Sequence, residues 1–82
     1  MQVVSITASF QPPQKAAQTL VAVARDHEEA VRRLNTKLAR ATANYLGNGS
    51  LWIYLSLPNG DASVIRSTPL GAVHFCMEQH EL

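Results

Sequence analysis

The 82 residues of this chain suffice for one small domain, and 46% of them are hydrophobic while only 16% are charged, against about 25% in an ordinary globular protein. Seven Lys and Arg residues against six Asp and Glu residues give a net charge of +1, so no overall field attracts nucleic acid or a membrane surface. Because few charges cover the surface, we expect apolar surface to contact a partner, either another protein or a second copy of the chain in a homo-oligomer.

Cysteine content and the N-terminal residues predict the compartment. The single cysteine, Cys76, cannot form an internal disulfide, which excludes the class of small secreted domains held by disulfides. Residues 1–5 lack the basic start and long apolar run of a signal peptide. No run approaches the roughly 20 apolar residues of a membrane span. We therefore expect a cytoplasmic protein of a prokaryotic or virus-infected cell that does not act in a membrane.

The first third of the chain predicts two strands. Apolar residues alternate with Ser and Thr over residues 4–10, which is the period of a half-buried strand. Pro12 and Pro13 end that strand, because neither can donate to a sheet. A short run rich in Leu and Val over residues 19–24 predicts the second strand.

A helix is predicted to follow over residues 27–45. Asp26 is a candidate N-cap, and Glu29 lies three residues on, at the capping-box position. Gly47 suits the left-handed position that ends a helix. The apolar spacing also fits one long helix over residues 15–45 that dimerises through its apolar seam. We favour the shorter helix, because the long one would leave the capping box without a function.

The second half of the chain predicts the same order of elements. Residues 51–57 have the aromatic and β-branched content of a strand, and Asn59-Gly60 predicts a tight turn into a strand over residues 62–66. Thr68-Pro69 has the composition of a helix start, so we expect a second helix from there to about residue 80.

The predicted fold class is therefore α+β. Residues 1–82 form a single domain of two layers in the order ββαββα, with a four-stranded antiparallel sheet and both helices on one face. An Ala-Val pair occurs four residues after each predicted cap, as Ala30-Val31 and Ala72-Val73, which indicates a possible duplicated hairpin–helix unit.

An aromatic pair is the first candidate site. Alternation along the third predicted strand directs Trp52 and Tyr54 away from the helices. Two exposed aromatic side chains can anchor a protein interface or stack on nucleic-acid bases. The other interpretation is structural, with a loop, the first strand or a second copy of the chain covering both rings.

A basic stripe is the second candidate site. Arg33, Lys37 and Arg40 share one face of the first predicted helix, away from its apolar residues. They could follow a phosphate backbone, meet an acidic protein patch, or form an ordinary solvated helix face. Arg25 and Arg66, near strand ends, are the cations that could lie beside the aromatic pair.

The residues His74, Cys76 and His80 are the weakest candidate. Cys76 and His80 would share a face of the second predicted helix, but a structural zinc site needs four ligands and a nucleophilic cysteine needs a positioned base. A buried, inert cysteine is the commoner case. The glycines fit no phosphate-binding motif. We therefore expect no metal ion, no cofactor and no enzymatic activity.

These observations favour a small protein–protein interaction module that occludes or bridges a larger protein. In size and architecture the chain resembles the small single-domain accessory proteins of phages and mobile elements, of which anti-CRISPR inhibitors are one group. That resemblance carries over no residues. The alternative is a nucleic-acid-binding domain that uses the aromatic pair or the basic stripe.

Overall fold

The computed structural model describes residues 1–12, 14–47 and 56–82. In this part of the chain the order of elements is ββαββ, which confirms the α+β class. It holds one helix, so the order ββαββα is not confirmed. The elements are β1 (Gln2–Phe10), β2 (Gln18–Ala24), α1 (His27–Leu46), β3 (Ala62–Thr68) and β4 (Gly71–Glu81).

The four strands form one antiparallel sheet in the order β2-β1-β4-β3. β1 is central, and its Ile6 pairs with Ala22 of β2 on one side and with Met77 of β4 on the other. The predicted four-stranded antiparallel sheet is therefore confirmed. β2 and β3 are its two edge strands.

The alternation in β1 behaves as the sequence predicts. Val4, Ile6, Ala8 and Phe10 are all buried, while the residues between them are partly exposed. The buried set lies on the face that α1 covers, since α1 packs against β2 and β1. One face of the sheet therefore carries the core, as period-2 patterning requires.

Two capping interactions set the ends of α1. Asp26 has extended backbone angles, and its Oδ1 accepts a hydrogen bond from the N–H of Glu29 at 2.8 Å. Gly47 is left-handed, with φ 73°, and its N–H donates to the carbonyl of Ala43 at 2.9 Å. Both predicted ends are confirmed. The single long helix is wrong, because its first part is strand β2.

The buried stripe of α1 completes the core. Leu34 and Leu38 are each 1% exposed. Among the described residues, Asn35 and Thr42 are the buried polar ones, and each donates to the carbonyl four residues earlier, at 2.9 and 2.8 Å. These bonds offset the cost of burying an amide and a hydroxyl group.

The prediction of a second helix is wrong, because most of the residues assigned to it form strand β4. The Thr68 hydroxyl accepts a hydrogen bond from the N–H of Leu70 at 3.0 Å and donates to the carbonyl of Gly71 at 2.9 Å. Gly71 has φ 93°, which closes a tight turn between β3 and β4. A Thr hydroxyl that binds an N–H two residues on starts a turn as readily as a helix, so Thr68-Pro69 misled the prediction.

Two further predictions concern the second half. In the described residues the second hairpin is followed by no helix, so the duplicated hairpin–helix unit is not confirmed. Residues 51–55 of the predicted third strand lie outside the described residues, and Ser56 and Leu57 belong to no strand. In the described part of the chain, no helix has both the length and the apolar character needed to cross a membrane.

Candidate functional site

The predicted aromatic pair, Trp52 and Tyr54, lies outside the described residues. Its role therefore stays a prediction. The basic stripe is fully described, and the candidate site is built around it.

A groove of about 270 Å³ opens between the C-terminal half of α1 and the start of β2. Its base is apolar, because Phe10 and Ala41 are buried and Leu20 is packed against the core. The ring of Tyr45 meets that of Phe10 edge-to-face, with centroids 6.3 Å apart. We call this feature the α1–β2 groove. It is lined by Phe10, Gln18, Leu20, Lys37, Arg40, Ala41, Asn44 and Tyr45.

Lys37 and Arg40 are exposed, and both also line a second hollow of about 320 Å³ farther along the same seam. Arg33 joins them there, beside Val23 of β2. All three cations of the stripe thus line the same hollow beside α1. That hollow adjoins the edge of the sheet.

The cations of the stripe bind the backbone of the edge strand. Arg33 Nη1 donates to the carbonyl of Val23 at 2.9 Å, and Lys37 Nζ donates to the carbonyl of Val21. Val21 and Val23 are 44% and 48% exposed. Backbone acceptors that are left open on an edge strand invite another strand to pair. Arg33 and Lys37 therefore cap this edge, and we call it the capped edge.

The cations differ in their ion pairs. Arg33 pairs with Glu29 at 2.8 Å, and Arg32, outside the stripe, pairs with Glu28 at 3.7 Å. Lys37 and Arg40 form no ion pair with any residue that the structure describes. Acidic residues thus neutralise Arg32 and Arg33 near the start of α1. Beside the α1–β2 groove, no acidic residue in the described part of the chain pairs with Lys37 or Arg40.

Arg66 lies apart from this site. It belongs to β3, the edge strand on the opposite side of the sheet, and its Nη1 donates to the neighbouring carbonyl of Ile65 at 3.4 Å. Two strands separate it from β2, so it shares no surface with the α1–β2 groove.

The residues His74, Cys76 and His80 lie in β4 and not on a helix face, which corrects the sequence prediction. They lie on the face of the sheet away from α1, where His74 bonds to the Ser63 hydroxyl and His80 Nε2 lies 2.9 Å from Ser5 Oγ. Among the described residues no three His, Cys, Asp or Glu side chains are grouped to hold a metal ion. The predicted absence of a cofactor and of catalysis stays a prediction.

Sequence reasoning did not predict the apolar base of the α1–β2 groove. Leu20 and Tyr45 belong to elements that the sequence predicts, but their approach depends on α1 lying over the outer strand. A signal was present, since Phe10 and Tyr45 each end an apolar stripe. Without the strand order, nothing in the sequence indicates that Phe10 and Tyr45 are in contact.

No protein-family model, curated protein or solved structure matches this chain.

Proposed function

We propose that this chain is a small, non-enzymatic protein–protein interaction module that binds an acidic segment of a larger protein in the α1–β2 groove. The observation that carries the proposal is the position of Lys37 and Arg40. Both cations flank an apolar groove, and neither forms an ion pair within the described part of the chain. A segment with an apolar anchor and adjacent carboxylates complements that surface.

The dimensions of the groove favour a side-chain anchor. Its volume of about 270 Å³ accommodates one large aliphatic or aromatic side chain against Phe10, Leu20 and Tyr45. A few well-packed anchors, aromatic side chains prominent among them, supply most of the binding energy of protein interfaces. The flanking cations then set orientation and association rate.

A nucleic-acid partner is the less favoured alternative. Phosphate-backbone binding draws its affinity from Lys and Arg side chains that each neutralise a phosphate, so it strengthens with the number of such cations. Here two cations without an ion pair among the described residues lie beside a groove with an apolar base, and the net charge of the whole chain is +1. An apolar base contributes nothing to phosphate recognition.

A domain of 82 residues can act on a larger partner by covering the segment it binds or by bridging it to a second surface. We propose occlusion or bridging of this kind, the mode of small accessory inhibitors. The acidic segment would then be one that the partner needs exposed.

The test is a binding titration with fluorescein-labelled peptides. One octapeptide has the sequence Glu-Val-Glu-Val-Phe-Val-Glu-Val, in which the Phe and the Glu side chains share one face of an extended chain, and its control replaces every Glu with Gln. We expect the acidic peptide to bind at least about tenfold more tightly, a difference of about 1.4 kcal/mol. Single- and double-stranded DNA oligonucleotides of matched length are titrated in parallel.

Two charge-matched double variants locate the site. Lys37→Gln with Arg40→Gln removes the groove cations, and Lys15→Gln with Arg32→Gln removes two cations elsewhere. The proposal requires that the first pair lowers the preference for the acidic peptide several-fold while the second leaves it intact. Equal losses in both pairs, no binding at about 1 mM peptide, or tighter, salt-sensitive binding of DNA would each overturn it.

A further inference from the structure

We propose that the acidic segment binds as an additional strand along β2, and that Arg33 and Lys37 then transfer from the carbonyls of β2 to the carboxylates of the segment. This inference rests on the proposed function. It adds the binding mode and the reason why the segment must be acidic.

β2 provides the acceptors that strand addition needs. It is an edge strand, and Val21 and Val23 are two residues apart, so their carbonyls point to the same side. Both carbonyls accept from side chains of α1, which shows that they lie within reach of groups outside the sheet. An added strand would place its own N–H groups on the same two oxygens.

The groups that now occupy those oxygens can leave. The side chain of Arg33 is 56% exposed, and Lys37 is also exposed. Each is a long, flexible side chain that can turn toward a ligand without disturbing the core. Arg33 also retains its ion pair with Glu29 when it leaves the carbonyl of Val23.

The exchange of hydrogen-bond acceptors by Arg33 and Lys37 explains why an acidic segment is preferred to a neutral one. A neutral strand would take the two carbonyls, leaving Lys37 with water alone and Arg33 with only Glu29 and water. An acidic strand replaces each lost bond with a charge-assisted bond to a carboxylate, which is the stronger kind. The caps thus oppose neutral strands and favour acidic ones.

The spacing of the cations fits a strand. Arg33 and Lys37 are four residues apart on a helix, a rise of about 6 Å. Alternate residues of a strand are about 6.6 Å apart. Acids at every second position of the segment would therefore meet successive cations of α1, while its backbone follows β2. At the Gln18 end of β2 the same strand reaches the α1–β2 groove with its anchor side chain.

Backbone methylation of the acidic octapeptide tests the mode directly. Two versions carry N-methyl groups at every second residue, in opposite phases, so that one blocks the N–H groups that face β2 and the other blocks those that face solvent. We expect one version to bind at least about tenfold more weakly and the other to bind like the parent peptide.

The outcomes separate the two proposals. If both methylated versions bind as tightly as the parent, strand addition is overturned while the docking groove stands. If both lose binding equally, no single strand edge is recognised and strand addition is again overturned. If the parent acidic peptide fails to bind, the proposed function fails and this inference fails with it.

A variant of the caps gives an independent readout. Arg33→Met with Lys37→Met uncaps β2, and we expect the Gln control peptide to gain affinity several-fold while the acidic peptide loses its advantage. The matched pair Lys15→Met with Arg32→Met should change neither affinity. A loss of affinity for both peptides in the uncapped variant would contradict the exchange.

Discussion

At the scale of single residues, the side chains that end elements and close turns decide where the chain changes direction. Asp26 separates β2 from α1, and Thr68 turns β3 into β4. Both use one side-chain oxygen to accept a nearby backbone N–H. The sequence predicts Asp26 correctly because Glu29 and an apolar helical stripe follow it, whereas at Thr68 no such stripe follows.

The N-cap of α1 provides a residue-scale prediction. Asp26→Ala removes the acceptor for the N–H of Glu29 and should lower the free energy of unfolding by about 1 kcal/mol. Asp26→Asn keeps an acceptor oxygen and should cost much less. Urea denaturation of both variants measures the difference, and equal losses would show that the cap contributes through its charge alone.

At the scale of elements, hydrophobic period matches the observed structure in β1, in α1 and also in β4, which was wrongly predicted as a helix. β1 and α1 were predictable because their buried residues follow periods of two and of three to four. β4 has the same clarity, since Val73, Phe75 and Met77 are buried at alternate positions. The helix prediction for these residues followed from the apparent helix start at Thr68-Pro69, although turn chemistry explains both residues.

The packing of α1 provides an element-scale prediction. Leu38 is 1% exposed, so Leu38→Ala leaves a cavity in the core and should lower the free energy of unfolding by about 2–5 kcal/mol. Thr36→Ala, at an exposed site on the same helix, should change it by less than about 0.5 kcal/mol. Circular dichroism during thermal unfolding, combined with size-exclusion chromatography, checks both variants. A folded Leu38→Ala protein of unchanged stability would contradict this packing.

At the scale of the whole molecule, the proposed function depends on which strand lies at each edge of the sheet. The cations of the stripe were predictable as a set, because helical spacing alone puts them together. Their contact with β2 was not, since it requires α1 to cover the outer strand of the sheet. The order β2-β1-β4-β3 is a long-range property that no local pattern in the chain encodes.

The capped edge provides a prediction for the whole molecule. Arg33→Met with Lys37→Met leaves the carbonyls of Val21 and Val23 without their side-chain donors, so strands of two copies can pair there. We expect self-association that increases with protein concentration in sedimentation velocity, beyond that of the unmodified chain. The Lys15→Met with Arg32→Met protein should sediment as the unmodified chain does. Identical behaviour of the two variants would mean that the caps do not protect the edge.

The most direct measurement of the central claim is an NMR titration of the ¹⁵N-labelled protein with the acidic octapeptide. We predict that the largest amide shifts occur at residues of the α1–β2 groove and the capped edge, among them Leu20, Val23, Ala41 and Tyr45. The Lys37→Gln, Arg40→Gln protein should show much smaller shifts. Shifts concentrated on β3, or on the sheet face that carries His74 and His80, would contradict the assignment of the α1–β2 groove as the docking site.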